Sequence, residues 1–102
     1  MGTLIKVATA ATLPPGKAAC CEVRGQRIAV FNVEGTIYAI NDVCPHSGGP
    51  LSEGHVRDGA VSCPWHGAAF SLATGMVQSP PARQGVRSYK VVIEGNDIKV
   101  EI

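Results

Sequence analysis

The sequence predicts an all-β domain: an antiparallel β-sandwich or barrel base made from both ends of the chain, with a loop-rich segment inserted between them. Three observations carry this. Val and Ile number 12 and 7 against 4 Leu, and β-branched side chains suit the pleated strand better than the helix. Gly and Pro number 12 and 7 in 102 residues, so the chain turns often. No segment keeps a helical period; Ala8–Thr12 is short and runs into Pro14-Pro15.

The elements follow in order. Leu4–Ala8 is a first short strand, closed off by Leu13-Pro14-Pro15-Gly16. Ala19–Arg24 and Arg27–Val33 flank Gly25-Gln26 and read as a hairpin. Glu34-Gly35 turns the chain into Thr36–Asn41. At the far end Ser88–Ile93, the turn Glu94-Gly95-Asn96-Asp97 and Ile98–Ile102 read as a second hairpin. In its last arm Ile98, Val100 and Ile102 alternate with Lys99 and Glu101, one face dry and one wet. The middle of the chain is rich in Gly, Pro, Ser, Cys and His, and there only Ala60–Cys63 and Ala68–Leu72 have strand character. The organisation expected is one domain: a base from residues 1–42 and 82–102, and a loop-rich subdomain over 43–81.

Composition narrows the function. The formal charge is +1 and charged residues are 17% of the chain, well mixed, which gives no footing for a nucleic-acid role or a membrane-surface role. No apolar run reaches the ~18 residues of a membrane span, and no signal-like start is visible; a cytoplasmic protein is expected. Only five aromatic residues are available for a core: Phe31, Tyr38, Trp65, Phe70 and Tyr89.

Against that thin core stand four Cys and three His. Cys44-Pro45-His46 and Cys63-Pro64-Trp65-His66 each join one thiolate donor to one imidazole donor, with sixteen residues between the pairs. Two Cys and two His can hold zinc, but zinc fingers usually keep Cys with Cys and His with His. Mixed pairs suit a binuclear iron site, in which each loop gives its Cys to one iron and its His to the other. Cys20 and Cys21 sit together on a strand and read as structural. His55 is a spare surface histidine.

These loops resemble the Rieske [2Fe–2S] family. The resemblance runs on through Ser47-Gly48-Gly49-Pro50-Leu51, Ser52-Glu53-Gly54, Gly67, Phe70-Ser71 and Thr74-Gly75 to Pro80-Pro81, which matches a proline loop over the cluster. It implies one Rieske-type [2Fe–2S] cofactor, with Cys44 and Cys63 on the inner iron and His46 and His66 on the outer one. Replacing two thiolates by neutral imidazoles removes two negative charges, so the site accepts an electron more readily than a four-Cys cluster.

The sequence departs from the high-potential respiratory branch of that family. Gly49 and Trp65 occupy the positions of that branch's bridging cysteines, so no disulfide can join the loops there. Ala68 and Phe70 stand where the branch has Ser and Tyr hydroxyls directed at sulfur. A potential near the low end of the Rieske range, about −150 to −100 mV, is therefore expected.

The function implied is a soluble, monomeric one-electron carrier, not an enzyme by itself. It would take electrons from an NADH-linked, flavin-containing reductase and pass them to a terminal oxygenase of the aromatic-ring dioxygenase type. The alternatives are the small Rieske subunit of an NADH-dependent nitrite reductase and a structural zinc module. A catalytic oxygenase is excluded, because its mononuclear iron needs two further His and only His55 remains.

Overall fold

A computed structural model describes residues 2–44, 48–65, 67–79 and 85–102. Its strands are antiparallel throughout and form three sheets. Strands β1 (Leu4–Thr9), β11 (Asp97–Glu101) and β10 (Val91–Glu94) make the first, in the order β1-β11-β10. The second runs β2-β3-β4-β9, with β2 at Ala18–Val23, β3 at Gln26–Val33, β4 at Thr36–Asn41 and β9 at Ser88–Tyr89. The third comes wholly from the middle of the chain: β5 (His55–Arg57), β6 (Ala60–Ser62), β7 (Ala69–Ser71) and β8 (Val77–Ser79). Short 3₁₀ turns cover Ala10–Thr12 and Leu51–Glu53.

The turns explain the pairings. Arg24-Gly25, Glu34-Gly35 and Asp58-Gly59 each place two successive residues at positive φ. That is the signature of the type I′ turn, whose twist matches the strands it joins. The first hairpin therefore turns one residue earlier than Gly25-Gln26. Asp58-Gly59 closes β5 on β6, a hairpin that Asp-Gly announces but that short flanking strands hide. The last expected hairpin divides at Lys90: Ser88–Tyr89 pairs with β4, and only Val91–Glu94 pairs with β11.

The central sheet is covered on both faces. Successive side chains of a strand point to opposite faces, and in β3 both directions are apolar. Ile28 and Val30, with Ala39 of β4, meet Leu13, Tyr89, Ile98 and Val100 in one core. Ala29 and Phe31, with Ile40, meet Leu51, Val61, Phe70, Leu72 and both Cys44 and Cys63 in the other. The second core is what seats the two cysteine loops on the base.

Candidate metal centre

Cys44 lies three residues beyond β4, and Cys63 directly follows β6. Both are buried, at 1% and 2% exposure, and neither is in a disulfide. The loops they open share one backbone frame. In the first, the Cys44 N–H donates to the Gly49 carbonyl (3.0 Å) and the Gly48 N–H to the Cys44 carbonyl (2.7 Å). In the second, the Cys63 N–H donates to the Ala68 carbonyl (2.7 Å) and the Gly67 N–H to the Cys63 carbonyl (2.9 Å). Gly48 and Gly67 hold φ of 78° and 77°, a left-handed conformation that side chains with a Cβ resist. Residue by residue, Cys44 matches Cys63, Gly48 matches Gly67 and Gly49 matches Ala68. Counted on the same frame, the histidine comes second after the cysteine in one loop and third in the other.

The loops also touch. A Cβ placed on Gly49 would stand 2.9 Å from the Cys63 Sγ and 3.0 Å from Cδ2 of Trp65. The two positions that would carry bridging cysteines are thus neighbours here, closed by a glycine against an indole. Trp65 keeps 59% exposure on its other side, so it is both a wall of the second loop and part of the surface.

The first loop is clamped at its stem. Val43 bridges Pro50. The Asp42 carbonyl accepts the Leu51 N–H (2.7 Å), and Asp42 Oδ1 accepts the Ser52 N–H (2.6 Å). Sequence reading passed over Asp42; its only signal was a short acidic side chain two residues before a cysteine, and its complete burial shows only in the fold.

His46 and His66, with Pro45 and Ser47 beside them, lie outside the described residues, as do Pro80, Pro81 and Arg83. His55 is exposed on β5, where it lines a groove of about 550 Å³ with Lys17, Phe31, Glu34 and Glu53; neither cysteine lines that groove. Cys21 packs against the first core, while Cys20 is exposed. Partial desolvation of its sulfur, and then the nearby Asp42 carboxylate, nonetheless push the Cys20 thiol above its usual pKa, against the pull of Arg27. Arg87 lies over the Tyr89 ring, 4.8 Å from its centroid.

The donor chemistry suits an iron–sulfur cluster. Two soft thiol donors are buried at the roots of two equivalent loops, and each loop carries one imidazole in its sequence. The comparisons agree. Residues 3–90 match the model of the Rieske [2Fe-2S] domain. The biphenyl dioxygenase ferredoxin subunit of Pseudomonas sp. (strain KKS102) is 38% identical over 97% of this chain and 92% of its own length. The ferredoxin of carbazole 1,9a-dioxygenase from Nocardioides aromaticivorans IC177 superposes with a TM-score of 0.89 at 33% identity, covering 96% of both chains. A structure titled as the complex of reduced oxygenase and oxidized ferredoxin in carbazole 1,9a-dioxygenase gives 0.89 at 31% identity, over 96% of this chain and 92% of that one.

Proposed function

The chain belongs to the Rieske [2Fe–2S] family, and on that premise we propose that Cys44 and Cys63 hold one iron of its cluster and His46 and His66 the other. It carries one Rieske-type [2Fe–2S] cluster and serves as the electron-transfer component of a ring-hydroxylating dioxygenase system, not as its catalyst. When bound, the cluster supplies a one-electron couple. What the chain supplies is a pair of thiol ligands shut away from water and a rigid glycine-bearing frame around each.

The observation that carries the ligand assignment is the shared hydrogen-bonded frame of the two loops, each rooted on a buried cysteine. Its partner on the accepting side is a terminal oxygenase. The donor is an NADH-linked flavin reductase, and the carrier acts as a cytoplasmic monomer; both extend from the roles of ferredoxins in such systems. No helix among the described residues is long and apolar enough to cross a membrane. The nitrite-reductase alternative is weaker, because the relatives set out above are ferredoxins of dioxygenase systems.

The test is direct. Purified protein should contain two irons and two acid-labile sulfides per chain, with a Rieske-type paramagnetic signal on reduction; one zinc and no sulfide would overturn the assignment. Cys44→Ser and Cys63→Ser should lose the cluster, and His66→Cys should move the potential negative. An unchanged spectrum in His66→Cys would remove that residue from the ligand set. Stopped-flow mixing with a flavin reductase and then an oxygenase reads the carrier role.

A further inference from the structure

Asp42 is the one fully buried acidic side chain among the described residues, and the carrier role does not account for it. Its backbone N–H donates to the Arg27 carbonyl of β3 (2.8 Å), and its carbonyl and Oδ1 take the N–H groups of Leu51 and Ser52. One residue thus ties the central sheet to both stems of the Cys44 loop. Among the described residues Oδ2 makes no hydrogen bond. Its compensation is the Arg27 guanidinium, with Nη2 at 3.3 Å.

A buried carboxylate without a full set of partners is costly, and loop stems can be joined by uncharged groups. The Arg27 side chain is 49% exposed, so water screens its charge more than it screens the carboxylate's. The pair is therefore electrically lopsided, with its negative end inside the protein, two residues from Cys44.

We propose that Asp42 is a positioning residue for the cluster: it locks the stem of the Cys44 loop and holds a fixed negative charge on the cysteine side of the cluster, which Arg27 partly offsets. This rests on the ligand role given above to Cys44. A fixed negative charge opposes the arrival of an electron, so the carboxylate lowers the reduction potential and the guanidinium raises it. The same carboxylate also touches the Cys20 thiol, whose pKa partial desolvation and Asp42 raise.

The experiment measures midpoint potential and the rate of cluster loss to a chelator in holoprotein. Asp42→Asn keeps an acceptor for Ser52 and removes the charge; its potential should shift upward. Arg27→Gln should shift it downward, Arg27→Lys should restore it, and the Asp42→Asn/Arg27→Gln double variant should return toward wild type. Both charge variants should lose the cluster several-fold faster. Unchanged potentials in both single variants would overturn the proposal and leave Asp42 an ordinary buried group. If Asp42→Asn does not fold, the surface pair Arg27→Gln and Arg27→Lys decides alone: no downward shift overturns it. A wild-type protein without the Rieske signal would overturn the ligand reading first, before any variant is compared.

Discussion

Gly49 of one cysteine loop lies directly against Cys63 of the other, so close that a methyl group at Gly49 would come to 2.9 Å from the sulfur. Its backbone is not among the left-handed glycines; space alone demands glycine there. Gly49→Ala should cost roughly 1–3 kcal/mol by overpacking and lower the iron content per chain. Gly48 is the control. It has open space but a φ of 78°, so Gly48→Ala should strain the backbone by about 1–2 kcal/mol without pressing on a sulfur. Iron analysis with thermal melting separates the two, and a Gly49→Ala protein with wild-type iron content would deny the contact its role.

The potential should lie near −150 to −100 mV, about the low end for this cluster type. Ala68 and Phe70 pack fully buried in the same core as both cysteines, and neither has a hydroxyl to give to sulfur. Ala68→Ser and Phe70→Tyr should each raise the potential in a redox titration. A clearly positive wild-type value would contradict the premise.

Loss of the cluster should not melt the chain evenly. The first core joins sheets built from the two ends of the chain and contains no ligand candidate; the second contains both loop cysteines. Metal binding is folding free energy for the part it ties. Amide exchange in apoprotein should therefore rise mainly over residues 43–79, with β3, β4 and β11 still protected. Uniform loss of protection would show that the base does not stand alone.

The two cores should also part company under mutation. Phe31→Ala empties a buried site beside the cysteine loops, and Ile98→Ala one in the opposite core. Costs of about 3–5 and 2–5 kcal/mol are expected. At matched stability, Phe31→Ala should release the cluster to a chelator faster. Equal release would mean that the central sheet transmits damage from both faces alike.

On the β10–β11 hairpin the Lys99 ammonium donates to Glu94, which raises the Lys99 pKa above the ordinary lysine value. A raised pKa means that the folded state holds the proton more tightly. The contribution is thus complete below the ordinary lysine pKa and disappears as pH rises through the higher folded value. Melting curves of wild type and Glu94→Gln should converge at strongly alkaline pH; a gap that widened there would reverse the assignment.

The strands of the base were legible because their signals are local. Alternation in Ile98–Ile102 and the Glu34-Gly35 turn need only neighbouring residues, and each element sits within a residue or two of expectation. β5 and β8 were missed because each offers a single apolar residue, Val56 or Val77, where the equally short β6 and β7 each offer two. The break at Lys90 was invisible for another reason: Ser88–Tyr89 leaves its hairpin to pair with β4, a partner nearly fifty residues away.

By itself the sequence determined the all-β class and the Rieske family, since β-branched composition and two Cys/His pairs at fixed spacing are properties of adjacent residues. Only the tertiary structure decided that β3 is buried on both faces, that Gly49 meets Cys63 and Trp65, and that Asp42 is sealed under the first loop against Arg27. Each of these includes a contact between residues at least fourteen apart along the chain, such as Gly49 with Cys63 and Arg27 with Asp42. Such contacts depend on how strands pair and sheets stack, which local spacing does not encode.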